Sequence, residues 1–222
     1  MSAITAPRTC DPAVAVTRSL LGYGVIAGPV YVVTSLAQAL TRDGFDLTRH
    51  EWSLLANGDF GWIQSTNLIV TGLMMVAFAV GLHRTGSATT GGGWAPRLVG
   101  LYGLGMVGAG AFRADPALGF PPGTPDGMGA VSWHGVLHFV CAGIGFLALI
   151  VACLVLARRF AARGARGMSR FSVVTGVAFL AGFVGVASGG GSIALNLAFT
   201  AAIMLVWAWM SVVSVHLYRA EK

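Results

Sequence analysis

Six stretches of the chain are apolar for about the thickness of a bilayer core, and polar or charged segments separate them. They run over residues 19–40, 64–83, 94–112, 133–157, 171–188 and 193–217. Each approaches the roughly 20 residues that a helix needs to cross hydrocarbon. Arg18, Arg84, Arg97, Arg158, Arg170 and Arg219 bracket the runs. The pattern predicts an all-α fold, an integral membrane bundle of six transmembrane helices. Residues 1–18 read as a tail, 19–218 as the transmembrane domain and 219–222 as a short C-terminal segment.

Composition agrees. Of 222 residues, 55% are hydrophobic and 10% are charged, against about 25% charged in soluble domains. Mean hydropathy is +0.75. These values exclude a typical soluble enzyme, a disordered chain and a secreted disulfide scaffold. The net charge of +6 does not point to nucleic acid, because the basic residues lie at the ends of apolar runs and form no continuous patch. Cys141 and Cys153 share one predicted helix, about 18 Å apart at 1.5 Å per residue, too far to bridge. Cys10 lies in the tail. Ala37-Gln38-Ala39 looks like a signal cleavage site, but the run before it is long for a signal core and Pro29 interrupts it.

Charge sets an orientation. With the N-terminus inside, Arg8, Arg18, Arg84, Arg97, Arg158, Arg159, Arg163, Arg166, Arg170, Arg219 and Lys222 are cytoplasmic, eleven of the fourteen basic residues. Only Arg42, Arg49 and Arg113 are outside. Acids go the other way: Asp43, Asp46, Glu51, Asp59, Asp115 and Asp126 are outside, and Asp11 and Glu221 inside. Both termini are therefore expected in the cytoplasm of a cell with a bacterial-type plasma membrane, with residues 45–62 and 114–131 accessible from outside. The inner loops are Gly-rich (Gly91-Gly92-Gly93) or Arg-rich, and their arginines orient the chain and meet anionic lipid. No internal repeat links the helical triplets.

Glycines are numerous, 32 in all, and Gly100, Gly103, Gly105, Gly108 and Gly110 crowd the third run. Small residues let membrane helices approach closely. Trp52, Trp62, Trp94, Trp133, Trp207 and Trp209 are expected mostly as interfacial anchors.

Candidate chemistry gathers on the outer side. His134 and His138 stand at i and i+4 at the start of the fourth run, and Cys141 follows at i+7. Imidazole and thiolate suit zinc or copper. Against this, His134 in the headgroup region and Cys141 as a small buried residue are ordinary structural readings. The first outer loop adds His50, Glu51, Ser53 and Asp59. Gln64 and Asn67 open the second run, Arg113 and Asp115 close the third, and Asn196 comes early in the sixth. His83 and His216, near cytoplasmic helix ends, read as structural. Asp43 and Asp46 read as solvated loop.

Ser53, Gly61-Trp62 leading into Asn67, Arg113-Ala114-Asp115 with its Pro/Gly loop, and His134 with His138 resemble a family of six-span membrane proteins, catalogued as domain of unknown function 998. The likeness covers most of the chain. Leu54 departs from the Ser-Glu pair usual there, so Glu51 would have to stand in for that acid. The resemblance implies six helices and no established activity. A weaker likeness is to the alkaline ceramidase and adiponectin-receptor superfamily of membrane zinc hydrolases, whose His-x-x-x-His pair His134 and His138 match. There Ser53, His50 and Asp59 or Asp115 would have to supply the rest.

Two functions follow as expectations. In the first, a metal-assisted hydrolase of a lipid-like substrate, His134, His138 and His50 (or Asp115) hold Zn²⁺ with one position open to water. Glu51, Ser53, Asp59 and Asp115 are its candidate catalytic groups, and Arg113, Gln64 and Asn67 its substrate contacts. Asp115 is expected within hydrogen-bond range of one imidazole. In the second, the same polar cavity is a recognition site in a non-enzymatic lipid or small-solute binding or transport protein. Haem fits poorly, because His134 and His138 share a helix and cannot both be axial ligands of one haem. Membrane lipids are the expected partners and nucleic acid is not one.

Overall fold

The computed structural model describes residues 11–85, 93–127, 129–189 and 192–220. Arg8, Cys10, Gly91-Gly92, Glu221 and Lys222 lie outside them. Six helices form in order: α1 (Pro12–Thr41), α2 (Gly61–Arg84), α3 (Trp94–Ala111), α4 (Trp133–Ala162), α5 (Arg166–Ala187) and α6 (Ile193–Ala220). A 3₁₀ turn spans Trp52–Ala56. The described residues contain no strand, only an isolated bridge between Ala117 and Phe120.

The helices outrun their apolar cores. Asp11 accepts from the Ala13 N–H at 2.9 Å and Pro12 takes the first helical position, so α1 begins inside the expected tail. Apolarity marks hydrocarbon thickness, whereas capping marks where a helix ends. Pro29 sits within α1 without ending it. Its missing N–H leaves the Val25 carbonyl free, and Ser211 of α6 donates to that oxygen at 3.1 Å.

Each helix packs on its neighbours in sequence, and α6 returns to α1, closing a ring. Trp207 of α6 fills the centre, 5.1 Å from the Tyr31 ring and 6.0 Å from Tyr102. The outside is apolar: Val33 is 66% exposed, Leu40 74% and Leu104 58%. The inside holds polar side chains such as Ser35, Gln64, Thr71 and Ser214. An apolar exterior around a partly polar interior belongs to a helical membrane protein. Five of the helices are long and apolar enough to cross a bilayer. The exception, α3, has 18 residues, five of them the crowded glycines.

Those glycines set the packing. A Cβ at Gly72 would lie 2.6 Å from the Gly103 carbonyl, and one at Gly103 equally close to that of Gly72. The α2 and α3 backbones therefore touch at this pair. Gly103→Val should force them apart and cost about 1–3 kcal/mol, the usual range for overpacking. Its thermal midpoint in detergent should fall by several degrees, whereas Gly100→Ala, with the nearest atom 3.6 Å from the new Cβ, should be nearly silent.

The tryptophans divide. Trp62, Trp94 and Trp133 stand exposed at helix starts, as interfacial anchors would. Trp52, Trp207 and Trp209 are buried, contrary to the expectation for them. Trp209 donates its indole N–H to Ser172 Oγ at 2.9 Å, which satisfies its polar atom inside the bundle. Cys141 and Cys153 back onto Gly108 and Gly176 as small packing residues.

Candidate functional site

The six acids assigned to the outer side gather at one end of the ring, where the loops 42–60 and 112–132 lie against each other. Phe120 joins them. Its ring stands edge-on to Phe45 at 5.1 Å and lies 5.6 Å from the ring of His50. Arg49 and Asp126 form a loose pair at 3.8 Å, the one ion pair among the described residues. The acidic end is therefore folded back on itself. Trp52, Leu54, Leu55 and Ala56 are buried within 45–62.

His50 is 2% exposed. Its Nδ1 accepts the Asp46 backbone N–H at 2.9 Å, which leaves Nε2 to donate to the Leu118 carbonyl at 2.9 Å. Both ring nitrogens are thus used in tying the two loops together. Asn196 of α6 donates to the carbonyls of Leu47 at 2.9 Å and His50 at 3.3 Å, anchoring the first loop from below.

His138, 3% exposed, has Nδ1 at 2.9 Å from the carbonyls of both Ala109 and Phe112. Carbonyls only accept, so Nδ1 carries the proton and satisfies the open end of α3. His134, one turn earlier, is exposed and rests on Trp133 with ring centroids 3.6 Å apart.

Asp115 does not bond either imidazole. Its Oδ2 accepts the Ser132 N–H at 2.7 Å and its Oδ1 the Ser132 hydroxyl at 2.5 Å. Ser132 in turn caps α4 by accepting from Gly135 N at 3.1 Å. A carboxylate at a helix N-terminus is well placed against the helix dipole. A side chain at Gly135 would run into it. Arg113 is exposed and makes no ion pair with Asp115.

Glu51 precedes the 3₁₀ turn, and burial raises its carboxyl above the usual range, a hydrogen bond to its own backbone opposing part of the rise. The fold therefore favours protonated Glu51, a contribution lost as pH rises through the raised value. Ser53 is half-buried on the same turn.

A different group of residues lines an open cavity. A pocket of about 590 Å³ lies among Gln38, Arg42, Asp43, Asp59, Phe60 and Ile63, with Pro121 and Pro122 on its far wall. Arg42 anchors it, donating through Nη1 to the Leu55 carbonyl and through Nη2 to that of Asn57, each at 2.5 Å. Its guanidinium carbon stands 4.9 Å over Phe120. Gly58 permits this: its φ is +71°, and a Cβ there would sit 2.9 Å from Arg42 Nη2. Burial lowers the Arg42 pKa, and Asp59 offsets part of that.

Below the pocket, Gln38 Nε2 donates to Gln64 Oε1 at 2.9 Å. Asn67 Nδ2 donates to the Tyr31 carbonyl at 3.1 Å and to Ser35 at 3.2 Å. Gln64 and Asn67 are thus buried beneath the cavity and do not line it. Gln38 Oε1, Trp52 Nε1, Asn57 Nδ2 and Asn67 Oδ1 are buried without protein partners.

Of the expected site residues, only Asp59 lines this pocket. Arg42, Gln38 and Ser35 were not singled out. The signal was present: Tyr31, Ser35 and Gln38 fall at i, i+4 and i+7, and Gln64, Asn67 and Thr71 at i, i+3 and i+7. Two facing polar stripes on apolar helices mark a polar interior.

Among the described residues, no three His, Cys, Asp or Glu side chains come together as a metal-ligating group. The donors named for zinc are not gathered as one group in this arrangement. Both ring nitrogens of His50 are engaged and each Asp115 oxygen accepts from Ser132, whereas His138 keeps an unprotonated Nε2 and His134 is exposed.

An all-helical membrane bundle with a polar pocket at one end is what the fold and site define. The chain matches the family described as Protein of unknown function (DUF998) over residues 25–216, and it belongs to that family. No match was found among the curated proteins or among the solved structures. The ceramidase likeness therefore rests on His134 and His138 alone.

Proposed function

We propose that the protein is a six-span plasma-membrane protein, with both termini cytoplasmic, whose outer end binds the polar head of a lipid-like molecule. One observation carries the reading: in the same pocket, a charged wall of Arg42, Asp43 and Asp59 meets an apolar rim of Phe60 and Ile63. Phe60 is 60% exposed. Arg42 suits a phosphate or carboxylate and the two aspartates suit an ammonium group. The apolar rim suits acyl chains lying along α2. The volume falls within the range of small-molecule sites. The buried unpartnered atoms under Gln38 fit water or ligand groups reaching the floor.

Phosphatidylethanolamine, which carries both charges, is the probe. Purified protein should bind it more tightly than diacylglycerol of the same chains. Asp59→Asn should weaken that preference several-fold, and Gln38→Leu should weaken it further. Equal binding of the two lipids would overturn the reading. Zinc content separates it from the hydrolase. Stoichiometric zinc, lost in both His134→Ala and His138→Ala, would favour the enzyme and require the acidic end to rearrange around the metal.

A further inference from the structure

A second group stands out at the opposite, basic end, independent of the pocket. Arg159, in the last turn of α4, is 5% exposed. Its Nε and Nη1 are enclosed and have no hydrogen-bond partner. A guanidinium keeps its proton at physiological pH, so this is a buried charge with two unused donors. The charge found acting on it is that of Arg163, one turn on, and it repels.

Other arginines at this end have found substitutes for an acid. Arg84 donates to Thr17 Oγ1 at 3.1 Å. Arg18 lies 4.5 Å over the Tyr218 ring and Arg97 5.6 Å over Trp94. Arg159 has none. Asp11 is the one acid at this end among the described residues, and it caps α1. Among the described residues, no other carboxylate is therefore on hand to neutralise Arg159. Nearby, α5 opens at Arg166 with no side chain capping it, and a free helix N-terminus favours an anion as well.

Buried charges are paired in stable proteins, and an unpaired one implies a counter-ion from outside the chain. We propose that the α4–α5 turn binds a phosphate group, with Arg159 as the buried anchor and Arg163 as a second contact. At a membrane surface the abundant phosphates are phospholipid heads. The fork of a guanidinium matches two phosphate oxygens, and a phosphate drawn up to Arg159 would supply the acceptor that the described residues do not.

The test is thermal melting of the full-length protein in detergent. Phosphatidylglycerol, diacylglycerol with the same chains, and inorganic phosphate are titrated separately. Phosphatidylglycerol should raise the midpoint and diacylglycerol should not. A matching shift from inorganic phosphate alone would keep the anion site and make its source a solute. Arg159→Gln should weaken the phosphatidylglycerol response about tenfold or more, the size expected for hydrogen bonds to a charged group. Arg158→Gln, at the exposed neighbour, should leave it unchanged, as should changes at Asp59 in the distant pocket. Arg159→Lys keeps the charge without the fork, so it should fold and show an intermediate response. Equal shifts from phosphatidylglycerol and diacylglycerol in the unaltered protein would overturn the proposal, as would a full response in Arg159→Gln.

Discussion

Arg42→Met should be among the most damaging single changes at the acidic end. The substitution keeps a long apolar stem over Phe120 but removes two charge-assisted hydrogen bonds, to the carbonyls of Leu55 and Asn57. Bonds of this kind contribute about 1.5–3 kcal/mol each. Because Arg42 is only partly buried, the expected loss is about 2–4 kcal/mol in total. Lysine should not rescue it, since one ammonium cannot hold two separated carbonyls as a planar fork does. Thermal unfolding gives the stability change, and lipid titration should show phosphatidylethanolamine losing its advantage over diacylglycerol. Midpoints within a degree of the unaltered protein would mean that Arg42 does not hold the loop.

His50→Phe should rank next. The ring contacts with Phe45 and Phe120 survive, but the Asp46 N–H and the Leu118 carbonyl lose their partners in a part-buried place. Leaving a buried group unsatisfied costs about 1–3 kcal/mol, and water reaches part of these two, so the lower end of that range is expected for each. The loops 42–60 and 112–132 should then separate more readily, and limited proteolysis should cut near Gly123 sooner. Any metal content should stay as it was. Loss of zinc with an undisturbed melting midpoint would instead make His50 a ligand.

These two residues show how far the sequence could be read. The helices were legible because apolar run length and hydrocarbon thickness report the same quantity. The sorting of Asp43, Asp46, Glu51, Asp59, Asp115 and Asp126 to one end was legible because charge follows the loops. Helix ends were less so. Asp11 and Pro12 extend α1 by capping, which hydropathy does not see. The site is hardest to read where a residue's value depends on its partner. His50, Asp115 and His138 look like ligands in a one-dimensional list. Folded, each satisfies backbone groups that a helix end or loop would otherwise leave open. Arg42 looked like one more loop cation, and its partners are carbonyls 13 and 15 residues further along the chain. Carbonyls have no letter in a sequence. Gln38 was masked by its resemblance to a cleavage site, although Tyr31, Ser35 and Gln38 already formed a stripe facing Gln64 and Asn67.

In the proposed topology the pocket opens on the outer surface of the membrane. Asp43 lines it and is exposed, whereas Arg166 is exposed at the basic end. Asp43→Cys and Arg166→Cys, each in a chain with Cys10, Cys141 and Cys153 changed to Ser, give the direct test with a membrane-impermeant maleimide. Asp43→Cys should be labelled in intact cells, and Arg166→Cys only after permeabilisation. The reverse pattern would place the pocket in the cytoplasm and contradict it.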